Sequence, residues 1–259
     1  MAKAIWRLLL TPAADGAQNM ALDEALMTRA RETGEFTLRV YSWVAPTLSL
    51  GRNQSARRVY DLERIRARGL RVVRRPTGGR AILHHREITY SVTAPVADAG
   101  DLHASYGRIN KVLVAGLERL GVRTEIAAPA GRAVPPGPAP CFDIPSAGEL
   151  VLGGRKLAGS AQWRSEGALL QHGSILVEDD QSTLAELTIE PQRSIPAPAT
   201  LAGALGHSPS PESVAEALGD AVKELEDSSA ETLSLEPEIR ARAASLVVQY
   251  EDDGWTWRR

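Results

Sequence analysis

The chain has 259 residues, 43% of them hydrophobic and 24% charged, a globular composition that excludes disordered and fibrous classes. Lys and Arg number 30 against 32 Asp and Glu, a net charge of −2. That balance argues against bulk polyanion binding and leaves room only for a local basic loop facing phosphate or an acidic partner.

The single cysteine, Cys141, cannot form an intramolecular disulfide and fits a reducing cytosol. The opening run to Leu10 is too short in apolar residues for a signal peptide before Pro12 and Asp15, and it reads as a first strand. No 18-residue apolar stretch offers a membrane span, so a cytoplasmic location is expected. Met20, Leu22, Ala25, Leu26 and Met27 recur at helical spacing and predict a helix from Ala17 to Glu32, stopped by Gly34. Phe36, Leu38 and Val40 alternate with Thr37, Arg39 and Tyr41, as on a half-buried strand. A charged helix over Val59 to Arg68 and a strand from Leu70 to Val73 lead into Arg74-Arg75-Pro76-Thr77-Gly78-Gly79-Arg80. Ala81 to Leu83 and Ile88 to Thr93 then predict a hairpin.

Leu102, Tyr106, Ile109, Leu113, Leu117 and Leu120 mark one helix face, ended by Gly121, with a strand from Val122 to Ile126 after it. The prolines between Pro129 and Pro140 remove donors and block helix, so this stretch is a long loop delivering the chain to Cys141. Glu149 to Leu152, Arg155 to Trp163 and Ala168 to Val177 predict an antiparallel meander. Prolines divide the last third into short helices such as Val214 to Leu225. The whole reads as one α+β domain over residues 1–259: a mixed, largely antiparallel sheet with packed helices, and a short helical segment from about residue 208.

Three features are candidates for chemistry. Cys141 sits on a loop that substrate can reach, and its nucleophilic form is the thiolate, scarce at pH 7 unless a nearby cation lowers the thiol pKa. Lys156, within the small-residue run Gly153 to Ala161, is such a cation. Arg74, Arg75 and Arg80 flank Gly78 and Gly79, where freed backbone amides and guanidinium groups suit a phosphate or carboxylate, though neither the Walker A nor the Rossmann spacing is met. His84 and His85, being adjacent, point to opposite strand faces, and no histidine has the companions of a zinc site.

Five ordered segments carry a resemblance: Asn19 to Leu26, Pro46 to Gln54, Arg74 to Ala81, Gly154 to Gln162 and Gln171 to Leu176. Together they are similar to the lipoate and octanoate protein ligase/transferase family, which shares its fold with biotin protein ligase. Cys141-Phe142-Asp143, 15 positions before Lys156, and the closing Tyr250 to Arg259 resemble the LipM-type octanoyltransferase branch. The family often has His-Asp where this chain has His84-His85.

The resemblance implies catalysis by Cys141 and Lys156. Octanoyl from an acyl carrier protein would form an acyl-enzyme on the cysteine and pass to the lysine of a lipoyl domain, such as glycine cleavage H protein, in lipoate biosynthesis. It further implies substrate binding by Arg75, Thr77, Gly78, Gly79, Arg80, Ala81, His84, Gly159, Ser160, Ala161, His172, Gly173 and Ser174. The backbone amides of Gly159 to Ala161 and His172 to Ser174 would help to hold the oxyanion, and Thr77 to His84 would line the acyl tunnel, with Ala81, Ile82 and Leu83 as its apolar wall. No metal, cofactor, nucleic acid or membrane is implied. Two alternatives stay open: an ATP- and Mg-dependent lipoate-protein ligase, for which Cys141 is dispensable, and an amidotransferase moving octanoyl between lipoyl domains.

Overall fold

A computed structural model describes residues 4–128, 142, 148–190 and 196–259. The first strand, β1 (Trp6–Leu10), leads to helix α1 (Gly16–Thr33). Asp15 caps α1 in a reciprocal box with Gln18, and Gly34 closes it in the left-handed conformation with φ 74°. Strands β2 (Phe36–Tyr41) and β3 (Thr47–Leu50), helix α2 (Leu62–Ala67) and strand β4 (Arg71–Arg74) follow. Next come β5 (Ile82–His84), β6 (Glu87–Pro95), α3 (Val96–Ala99) and α4 (Leu102–Arg119), the last capped by Asp101. After β7 (Glu125–Ile126), the predicted meander is present as β8 (Leu150–Leu152), β9 (Arg155–Ser165) and β10 (Ala168–Leu176). The remaining elements are α5 (Thr183–Glu186), α6 (Leu201–Leu205), α7 (Pro211–Leu225), β11 (Glu231–Thr232), α8 (Pro237–Glu251) and α9 (Asp253–Thr256).

Eight strands form one sheet in the order β11-β1-β2-β6-β10-β9-β8-β7, antiparallel from β2 to β7 and parallel at the β11-β1-β2 edge. A second sheet has the order β4-β3-β5. The predicted hairpin over residues 81–93 is therefore corrected: β5 pairs with β3 in the small sheet, whereas β6 pairs with β2 and β10 in the large one. His85 and Arg86 carry the chain from one sheet to the other. The long loop expected from Pro129 to Pro140 lies outside the described residues, as does Cys141.

Helices α4 and α7 cover one face of the large sheet, where Ile109, Leu113, Leu117, Leu218 and Val222 pack on Trp6, Leu38, Val40 and Val92. Helix α1 covers the other and is itself overlain by α8, an element the sequence reading did not assign. This second layer corrects the half-buried reading of β2, since all six of its residues are buried. A strand covered on both faces must satisfy its polar side chains internally. Among the described residues no helix is long and apolar enough to cross a membrane.

Candidate active site

The covered polar face of the large sheet holds a connected set of side chains. Arg39 on β2 and Asp23 on α1 form a buried ion pair, Nη1 to Oδ1 at 2.7 Å, with the carboxylate inaccessible to solvent. Asp23 also accepts from Tyr41 Oη at 2.9 Å and Ser91 Oγ at 2.8 Å, and lies 3.3 Å from His172 Nδ1. Burial works to raise the Asp23 pKa, but Arg39, His172 and Ser91 outweigh it and hold the carboxyl below its ordinary range. Burial dominates at His172, depressing its pKa against the opposing pull of Asp23. A neutral His172 facing a carboxylate carries its proton on Nδ1, which leaves Nε2 as an acceptor. That nitrogen lies 2.6 Å from Thr77 Oγ1. Asp23, His172 and Thr77 thus form a directed chain ending on the glycine turn.

The turn is fixed from within. Arg75 Nε and Nη2 donate to Gly78 O at 3.1 and 2.7 Å, Nη2 also to Arg80 O, and Nη1 to Ser49 O at 2.9 Å. This guanidinium therefore ties the turn to β3. Gly51 packs so tightly against it that a Cβ there would lie 2.0 Å from Gly79 O, and Gly79 has φ 92°, so neither position accepts a side chain without strain. Arg74 turns away altogether: it is buried and donates to Gly51 O, Gln54 O and Thr256 O.

Lys156, the second residue of β9, is 2% exposed, unlike the solvated lysine that a strand usually presents. Its Nζ donates to Glu149 Oε1 at 2.6 Å, the carboxylate that a buried ammonium requires, and lies 4.8 Å from the ring centroid of Phe142. Phe142, next in the chain to Cys141, is buried against Ile82 and Leu176. Period-two geometry separates the three residues expected to wall a tunnel: Ile82 faces Phe142, whereas Ala81 and Leu83 join the core around Leu48, Leu50 and Tyr60.

His84 stacks on Trp43 at 4.1 Å with Nδ1 3.2 Å from Glu87 Oε1, while exposed His85 meets Asp180 at 2.9 Å. Gly173 must be glycine, because a Cβ would come within 2.5 Å of Gly159 O and 2.7 Å of the Tyr90 ring. Tyr90 and Ser160 are joined there through their hydroxyls at 2.6 Å. Every β10 residue from His172 to Ser174 pairs with β6 on one side and β9 on the other, so its amides belong to the sheet ladders. Gly159 to Ala161 differ: they pair with β10 but extend past the end of β8, leaving that edge of β9 without a partner among the described strands. Ser174 Oγ, on the same face of β10 as His172, is buried without a hydrogen-bond partner among the described residues.

The sequence reading missed Asp23, Arg39 and Glu149. The signal for the first two was present: an aspartate on the apolar face of a helix, one turn after Met20, and an arginine among buried strand residues demand each other as partners.

The fold is that of the lipoate-protein ligases. The family model of the lipoyl protein ligase A/B catalytic domain matches residues 15–223, and the chain belongs to that family. It is 41% identical to the Octanoyltransferase LipM of Kyrpidia tusciae, over 98% of this chain and 99% of the relative. The protein of the same name from Symbiobacterium thermophilum is 44% identical over 83% of this chain and 79% of its own. Among solved structures, a lipoate-protein ligase A bound with ATP superposes with TM-score 0.80 at 22% identity, covering 99% of each chain. A bipartite lipoate protein ligase from Thermoplasma acidophilum gives 0.77 at 22%, covering 98% and 96%. At that identity the likeness establishes the fold, as expected from the sequence.

Proposed function

We propose that this chain is an octanoyltransferase of lipoate biosynthesis that moves octanoyl from acyl carrier protein, through a thioester on Cys141, to the lysine of a lipoyl domain. Family membership and the shared name of the full-length relatives support octanoyl transfer. The observation that carries the cysteine route is the buried ammonium of Lys156 against Phe142, the chain neighbour of Cys141.

In the first step the Cys141 thiolate attacks the thioester carbonyl, and the carrier thiolate leaves and takes up a proton. The Lys156 ammonium favours the attacking thiolate and donates to the carbonyl as charge develops on its oxygen. The open edge at Gly159 to Ala161 supplies further donors; His172 to Ser174, committed to the ladders, hold the site's shape instead. Ile82, Leu176 and Phe142 give the acyl tail apolar contact, worth about 0.8 kcal/mol per methylene buried. In the second step the acceptor amine attacks the acyl-enzyme, an amide forms, and the Cys141 thiolate is released. The neutral His172, oriented by Asp23, is the base that accepts the amine's proton through Thr77. Thioester exchange followed by amide formation is downhill and needs neither nucleotide nor metal.

The test is the intact mass of the protein after incubation with octanoyl-acyl carrier protein in the absence of ATP. One octanoyl group gained, and absent in Cys141→Ser, is the expected result. No adduct, with lipoylation of a lipoyl domain only when ATP and lipoate are supplied, would overturn it in favour of a ligase.

A further inference from the structure

The C-terminal segment builds a surface that the chemistry above does not use. Arg52, Arg57, Arg258 and Arg259 converge where the loop after β3 meets the residues following α9, and exposed Arg58 follows Arg57 in that loop. Arg258 lies 3.7 Å over the Trp255 ring and donates to Arg52 O at 2.7 Å. The Arg52 guanidinium lies 5.0 Å from the ring centre of Trp163 and 5.7 Å from that of Trp255. Arg57 donates to Trp257 O at 2.5 Å, and the amides of Ala56 and Arg57 donate to Arg259 O.

None of the five has an Asp or Glu side chain within ion-pairing distance among the described residues, although Arg7, Arg29, Arg39, Arg68, Arg108 and Arg242 elsewhere all do. Of the acids near them in sequence, Asp61 caps α2 and pairs with Arg64, Asp252 caps α9, and Glu251 and Asp253 line a cleft with Arg66 and Arg71. Beneath the surface lies Arg74, fully buried, with Nη2 lacking a hydrogen-bond partner among the described residues. Burial and repulsion from Arg258, Arg259 and Arg75 push its pKa down to about 10. A surface that gathers like charges in this way raises the local potential and attracts an anionic partner.

The surface adjoins the site: the Arg52 amide donates to Thr77 O at 2.8 Å, and the Thr77 side chain meets His172. Resting on the function proposed above, we infer that this arginine face docks the acidic carrier domain that delivers the acyl thioester. The choice between the two protein substrates follows from charge. A thioester carried on a phosphopantetheine arm brings a phosphodiester anion, which guanidinium groups bind well. The acceptor brings a lysine ammonium, which the same arginines repel.

The experiment compares wild type with Arg57→Glu/Arg58→Glu, whose side chains are exposed, and with Arg258→Ala. Acyl-enzyme formation is measured by mass from octanoyl-acyl carrier protein and from octanoyl-pantetheine, which lacks protein and phosphate. Carrier binding is measured directly by fluorescence anisotropy at several salt concentrations. The ratio of kcat/KM for carrier to that for octanoyl-pantetheine is expected to fall about tenfold or more in the double variant, and wild-type carrier affinity to fall steeply as salt rises. An unchanged ratio with salt-independent binding would overturn the inference. So would a loss confined to transfer from preformed acyl-enzyme to a lipoyl domain, which would give the face to the acceptor. Arginine-dependent carrier binding without an acyl adduct from either donor would sink the proposed chemistry and leave the docking surface standing.

Discussion

Asp23→Asn tests whether the buried carboxylate organises the site. The side chain is 0% exposed and takes hydrogen bonds from Arg39, Tyr41 and Ser91, with His172 at its fourth side. The amide keeps the size and one acceptor oxygen but removes the charge that balances Arg39, itself 1% exposed. It also places an N–H₂ group where two oxygen lone pairs received donors. Removing one partner of a buried pair costs about 3–5 kcal/mol, because the remaining ion stays desolvated. For a chain of this size that corresponds to a melting temperature lower by roughly 10 °C. Urea denaturation of wild type, Asp23→Asn, Arg39→Met and the double variant measures it. The double variant is expected to be less destabilised than the two singles summed, since no uncompensated charge is left. A loss below about 1 kcal/mol in Asp23→Asn, or strict additivity, would refute the argument that the pair is mutually required.

Gly173→Ala forces a methyl group against Gly159 O and the Tyr90 ring, so a loss of about 1–3 kcal/mol is expected in thermal unfolding, and a wild-type melting curve would contradict it. Lys156→Ala is expected to slow alkylation of Cys141 at neutral pH and to move the apparent thiol pKa upward; superimposable rate–pH curves would remove the lysine from thiolate activation. The pH dependence of stability has a defined sign. His172 and Asp23 both titrate lower in the folded chain than in the unfolded one. Their contributions are complete above about pH 6.5 for the imidazole and about pH 3.9 for the carboxyl, and each is lost as pH falls below those values. His172→Gln should flatten the stability profile between about pH 6.5 and pH 5, and an unaltered slope there would count against the buried neutral imidazole.

Much of this was open to inspection in the linear chain. Helical spacing with Asp15 and Gly34 at its ends delimits α1, and turn glycines delimit β8 to β10, because capping and turn chemistry are local. The α+β class and the family were legible from ordered motifs, and octanoyl transfer followed from them. The resemblance carried by Cys141-Phe142-Asp143, 15 positions before Lys156, implied the cysteine route, though Cys141 lies outside the described residues. What the chain alone left undetermined is non-local. A break of two residues, His85 and Arg86, reads as a hairpin turn, yet β5 and β6 enter different sheets because their partners, β3 and β10, lie far apart in sequence. Alternation in β2 predicts one wet face, and only α1, covering that face beneath α8, makes Arg39 a buried ion in need of Asp23. Arg74 and Arg75 look alike in sequence, but one stitches the C-terminal segment to the body while the other braces the glycine turn. Residue type and spacing state which groups need partners; only the assembled layers decide which partner each one meets, since burial sets the cost of leaving a charge unpaired.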